Sequence, residues 1–126
     1  MKILILDNPK VGWKRVSNLL DGMHNIELTG SNTGTTETIN DIEVLKPDVL
    51  IVDIDMPVRK GIELLHQINR DYAFLAVIVL TNASSSVLRK QCTEAGARFF
   101  FDKATEFDKV PRAIEILQKD YQHASN

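Results

Sequence analysis

Lys46-Pro47-Asp48-Val49-Leu50-Ile51-Val52-Asp53-Ile54-Asp55-Met56-Pro57 runs from a turn through an uninterrupted apolar segment into an acid. Val49 to Val52 suit a strand covered on both faces, because strands of a parallel sheet read as continuous apolar runs instead of alternating ones. Asp53 stands where that strand meets solvent, and Asp55 follows two residues on. Pro57 has no backbone N–H to donate, so the strand cannot continue. Carboxylates at the carboxyl end of a parallel strand lie on the edge where open α/β sheets bind their ligands. Asp53 is therefore the acid that needs a chemical account.

The chain alternates strand and helix on both sides of this segment. Residues 2–7 form a short apolar run ending on Asp7. Val11, Val16, Leu19 and Leu20 recur at helical spacing over 10–21, after Pro9, a good first-turn residue. A second strand is read through Ile26 to Gly30. The polar cluster Ser31–Thr35 then leads a helix carrying Ile39, Ile42 and Leu45, which Pro47 stops. Ile62, Leu65 and Ile68 mark a third helix, and Ala76–Leu80 a fourth strand. Asn82 or Ser84 is read as the cap of a helix over Val87–Ala95, ended by Gly96. Arg98–Phe101 reads as a fifth strand leading to Lys103. Thr105 is read as the cap of a last helix with Phe107, Val110, Ile114, Leu117 and Tyr121 on one stripe. Such βα units with short connections imply an α/β fold, a doubly wound five-stranded parallel sheet flanked by five helices. A closed barrel would need about eight units and twice this length. The whole chain, 1–126, reads as one domain, with 122–126 as a frayed tail.

Composition narrows the classes. Hydrophobic residues make up 44% and charged residues 25%, a globular profile with no span of the ~20 apolar residues that a membrane helix requires. The formal net charge is −2 with dispersed lysines and arginines, which argues against direct nucleic-acid contact. The single Cys92 excludes an internal disulfide and fits a cytoplasmic protein. Cys92 lies on an apolar helical stripe, so it reads as a core residue and not a nucleophile.

Reading only the strand ends collects Asp7 and Asn8, Asp53, Thr81 and Lys103 on one rim. Short polar residues there could simply cap the following helices. As a set they form a charge-paired constellation with recognisable chemistry. Neighbouring carboxylates repel, and a hard cation such as Mg²⁺ relieves that repulsion through oxygen ligands. An aspartate beside it can attack a phosphoryl group, while a lysine ammonium neutralises the transferred oxygens. A nearby hydroxyl can hydrogen-bond the product and couple charge to loop position.

The sequence resembles the receiver domain of bacterial two-component response regulators over essentially its whole length. The residues carrying the likeness are Ile3–Asp7, Lys46–Pro57, Gly61–Leu65, Val77–Thr81, Glu94–Ala97 and Phe100–Lys103. The resemblance implies a flavodoxin-like sheet of order 2-1-3-4-5, with Asp53 as phosphoacceptor for the phosphohistidine of a sensor histidine kinase or phosphotransfer protein. Lys103 would pair with Asp53 or its phosphate, Thr81 would be the switch hydroxyl and Phe100 the switch aromatic. Mg²⁺ would be held by Asp7, Asn8, Asp53 and the backbone carbonyl of Asp55, and Gly61 would permit the turn into the third helix. The surface of the fourth helix, fifth strand and fifth helix would dock a downstream effector protein or domain, with Arg89, Lys90, Arg112 and Lys119 among its exposed charges. Core packing alone would also account for Phe99, Phe100 and Phe101, since alternation sets Phe100 opposite its neighbours.

Three positions depart from the family pattern. Asn8 stands where a second metal-binding acid is usual, which removes one negative charge and predicts weaker Mg²⁺ binding. Asn82 follows Thr81 where a very small residue is typical, at the entrance for the phosphoryl group. Ala104 follows Lys103 where many receivers have proline, so no cis-proline constraint acts there. Asn8 leaves open a pseudo-receiver, a binding module that works without phosphorylation. The pair Asp53 and Asp55 also resembles the acids of haloacid-dehalogenase-type phosphatases, although those follow the first strand. The stripe on the last helix suits packing on the sheet, with a homodimer through that helix as the other reading.

Overall fold

The computed structural model describes residues 1–6, 10–31, 35–54, 58–82 and 85–125. Along the chain run β1 (Lys2–Leu6), α1 (Lys10–Leu19), β2 (Glu27–Ser31), α2 (Thr35–Leu45), β3 (Val49–Asp53), α3 (Val58–Asp71), β4 (Ala76–Thr81), α4 (Ser86–Glu94), β5 (Phe99–Asp102), a 3₁₀ turn (Phe107–Lys109) and α5 (Val110–Ser125). The strands form one five-stranded sheet in the order β2-β1-β3-β4-β5, with every adjacent pair parallel. The doubly wound flavodoxin-like arrangement is thus present, and its direction of winding reverses between β1 and β3.

Alternation along the strands feeds two separate cores. Leu4, Leu50, Val52, Val77, Val79 and Phe100 face a layer built from α2, α3 and α4. Ile3, Ile5, Ile51, Ile78, Leu80 and Phe101 face α1 and α5. The whole of β3 is buried, which explains why its sequence is apolar without alternation. Each isoleucine or leucine buried in this way contributes about 1.5–3 kcal/mol of transfer free energy. Phe99 and Phe101 stack with ring centroids 5.9 Å apart, on the face opposite Phe100. Val110, Ile114 and Leu117 of α5 are buried against the sheet, whereas Tyr121 is half exposed. That stripe is packing surface on the sheet, the first of its two readings.

Several boundaries move from their sequence positions. The cap of α4 is Ser85, whose hydroxyl accepts the N–H of Leu88 at 3.0 Å. Asn82 is exposed and does not cap it, and Ser84 lies outside the described residues. Each serine in the run Ser84–Ser86 has capping chemistry, so only the backbone path selects among them. Thr105 caps nothing either: Glu106 precedes the 3₁₀ turn, and α5 starts at Val110. That helix continues to Ser125, beyond Tyr121. Gly61 lies inside α3, not in the turn before it, and a Cβ there would come within 3.1 Å of the Ile54 side chain. Gly96 does end α4, in the left-handed region at φ +108°.

Candidate functional site

Sheet register builds the site as a staircase. Asp53 pairs with Leu80, Thr81 is the next residue of β4, and Thr81 pairs in turn with Asp102. Lys103 is the residue after that, and its N–H donates to the Thr81 carbonyl at 2.9 Å. Three strand ends thus deliver Asp53, Thr81 and Lys103 to one edge, although 50 residues separate the first from the last.

The Lys103 ammonium donates to Oδ2 of Asp53 and pairs with it. Their side chains are 11% and 3% exposed, so the attraction acts with little solvent screening. The second carboxylate oxygen, Oδ1, is also buried. A buried carboxylate without a cation would cost several kcal/mol, so Lys103 makes Asp53 tolerable at this depth. Thr81 is fully buried, and its hydroxyl donates to the Ile54 carbonyl at 3.3 Å, one residue beyond Asp53. Phe100 is buried on the α4 side of the sheet. Asn82 stands exposed at the mouth of this edge.

Asp7, Asn8 and Asp55 lie outside the described residues. Among the described residues no cluster of three or more His, Cys, Asp or Glu could hold a metal. Asp48 stays away from this edge, as its turn position suggests. At the opposite end of β3 it accepts the Lys2 N–H at 2.9 Å, and the Tyr121 hydroxyl, whose titration is pushed up by that bond.

A second group of charges surrounds Lys103 that the sequence does not announce. Oδ1 of Asp102 accepts the N–H groups of Ala104 at 2.7 Å and Thr105 at 3.2 Å. Oε1 of Glu106 accepts both the Asp102 N–H at 3.1 Å and Nη2 of Arg89 at 3.0 Å. Its Oε2 meets Lys109 at 3.2 Å. The Asp102 N–H, then Lys109 and Arg89, hold the Glu106 carboxyl below its ordinary range. Arg89 also donates from Nη1 to the Phe100 carbonyl at 3.1 Å and lies over the Phe100 ring, 4.7 Å from its centroid. Arg89, Lys90, Arg112 and Lys119 are all exposed, as read from the sequence, although Arg89 is also bonded within the fold and Arg112 pairs with Glu115 at 3.1 Å. The Arg89 contacts need α4 to meet the turn after β5, whereas the bonds among Asp102, Ala104, Thr105, Glu106 and Lys109 are local in sequence.

No helix among the described residues is long and apolar enough to cross a membrane. Residues 3–115 match the family model for the response regulator receiver domain. The DNA-binding transcriptional activator EvgA of Escherichia coli (strain K12) is 27% identical over 121 residues, which cover 96% of this chain and 59% of that protein. A protein-glutamate methylesterase/protein-glutamine glutaminase of Bacillus subtilis (strain 168) is 32% identical over 107 residues, 82% of this chain and 29% of that protein. The chain therefore spans less than two thirds of either relative. The isolated REC domain of RcsB from Salmonella enterica serovar Typhimurium, determined with the phosphomimetic BeF3-, superposes with a TM-score of 0.84 at 26% identity, covering 94% of this chain and 88% of that one. Fold, match and relatives agree, and the chain belongs to the response regulator receiver domain family.

Proposed function

We propose that Asp53 is a phosphoacceptor, loaded by the phosphohistidine of a sensor histidine kinase or phosphotransfer protein in a two-component pathway. The observation that carries this reading is the Lys103 ammonium held on the buried Asp53 carboxylate at the carboxyl end of β3. An Asp53 oxygen attacks phosphorus, and the bond from phosphorus to the donor nitrogen breaks with its electron pair left on the imidazole. The acyl phosphate that forms adds negative charge beside Lys103, which is already in place to neutralise it without reorganising. The Thr81 hydroxyl then exchanges the Ile54 carbonyl for a phosphoryl oxygen, a stronger acceptor. Thr81 and Phe100 lie on the α4 side of the sheet, so this exchange is felt by the surface formed by α4, β5 and α5. An effector protein or domain reads that surface, and the protein acts as a signalling phosphoacceptor and not as a turnover enzyme.

The donor set suits Mg²⁺ by its chemistry: Asp7, Asn8, Asp53 and the Asp55 carbonyl supply only oxygen, the preference of a hard cation. Bound there, Mg²⁺ would offset phosphoryl charge, and the neutral Asn8 amide makes that binding weak. A phosphatase of the aspartyl-nucleophile type is disfavoured by position, because Asp53 ends β3 and not β1.

Phosphoramidate, a donor with a phosphorus–nitrogen bond, tests the reading in the presence of MgCl2. The expected product is a phosphoprotein cleaved by neutral hydroxylamine, as an acyl phosphate is. A hydroxylamine-stable adduct, or continuous release of phosphate from a phosphomonoester, would contradict it.

A further inference from the structure

Lys103 sits at the start of a tight turn that contains Ala104 and so has no proline to stiffen it. Two carboxylates fix this turn. Asp102 gathers the N–H groups of Ala104 and Thr105 on one oxygen. Glu106 closes the loop from its far side, with its own N–H donating to the Asp102 carbonyl at 2.8 Å and its Oε1 accepting the Asp102 N–H. That same Oε1 receives Arg89 from α4, and Arg89 in turn holds the carbonyl and ring of Phe100. One carboxylate oxygen thus joins the backbone that presents Lys103 to the helix that covers Phe100.

We propose that Glu106 is a positioning residue for Lys103, the group that sets the ammonium on Asp53 and fastens its turn to α4. The proposal rests on the phosphoacceptor reading for its kinetic consequence but not for its geometry. Glu106 is 22% exposed at its side chain and touches neither Asp53 nor the incoming phosphoryl group, so it acts only through Lys103. The depressed Glu106 titration agrees with this, since the Asp102 N–H is its largest cause.

Two readouts test the proposal on the intact protein. Amide hydrogen exchange follows the Lys103 N–H, and the rate of phosphoryl uptake from phosphoramidate with MgCl2 follows Asp53. Misplacing a catalytic group by about 1 Å can cost about 100-fold, so Glu106→Ala is expected to slow uptake about tenfold or more. It should also speed exchange at Lys103 about tenfold while the core amides of Leu50 and Ile78 stay protected. Glu106→Gln keeps an oxygen in place for the Asp102 N–H and should restore protection at Lys103 and most of the uptake rate. The proposal is overturned if Glu106→Ala leaves Lys103 protected, or if the amides of Leu50 and Ile78 lose as much protection as Lys103. It is also overturned if Glu106→Gln is as impaired as Glu106→Ala. If the unaltered protein takes up no phosphoryl group, the phosphoacceptor reading fails, and the exchange measurements still decide the role of Glu106.

Discussion

Thr81 donates its buried hydroxyl to the carbonyl of Ile54, 3.3 Å away and one residue past Asp53. The bond ties the end of β4 to the backbone that leaves Asp53, beside the ladder bond from the Ile54 N–H to the Leu80 carbonyl at 2.8 Å. Thr81→Val removes the donor at nearly constant volume and should cost about 1 kcal/mol, measured by urea unfolding. In this variant uptake at Asp53 should persist while the change in amide exchange along α4 on phosphorylation is lost. An undiminished α4 response would show that Thr81 does not carry the signal.

Lys103→Met leaves the Asp53 carboxylate buried without its ammonium. The pair is nearly but not wholly enclosed, so the loss should be about 2 kcal/mol, below the 3–5 kcal/mol typical of fully buried pairs. Asp53→Asn added to Lys103→Met should recover most of it, and a double-mutant cycle in urea gives the coupling. Additive losses would mean that the contact carries no net coupling.

Gly96 ends α4 at φ +108°, and an added Cβ would lie 2.6 Å from Oδ1 of Asn69. Gly96→Ala should therefore destabilise the fold by about 2 kcal/mol, part from backbone strain and part from the clash. Asn69→Ala should relieve the second part only. Thermal unfolding of the single and double variants separates the two.

Burial pushes the Cys92 thiol up to about 11 from an ordinary 9.0. Its folded pKa is raised, so the contribution is complete below pH 9 and is lost as pH climbs towards 11. The stability advantage of the native protein over Cys92→Ala should shrink across that window. Iodoacetamide at pH 8 should modify the thiol only after unfolding.

Much of the fold was legible because local chemistry agreed with tertiary demand. The apolar run Val49–Val52 is buried on both faces, and the strand ends it predicted meet where the register places them. The stripe on α5 was ambiguous, since core packing and dimerisation call for the same apolar periodicity, and only burial separated them. The α4 cap was misread because Ser84–Ser86 have equal capping chemistry, and the Thr105 cap because a 3₁₀ turn led by Glu106, with no side-chain capping bond, precedes the last helix. Asp53, Thr81 and Lys103 could be gathered from strand ends alone, whereas Glu106 could not. Its bond to the Asp102 N–H is local, but its pairing with Arg89 arises only where α4 meets the turn after β5. Arg89 was rightly read as an exposed charge, but its bonds to Glu106 and the Phe100 carbonyl depend on that tertiary contact.

A phosphoryl group accepted by Asp53 adds mass to the intact protein. Intact-mass measurement after incubation with acetyl phosphate and increasing MgCl2, with Asp53→Asn alongside, tests phosphorylation at Asp53 most directly. The expected product is a single phosphoryl adduct that requires MgCl2 and is absent from Asp53→Asn. No adduct at any MgCl2 concentration, or an equal adduct on Asp53→Asn, would contradict phosphorylation at Asp53 and favour a receiver fold used for binding without phosphorylation.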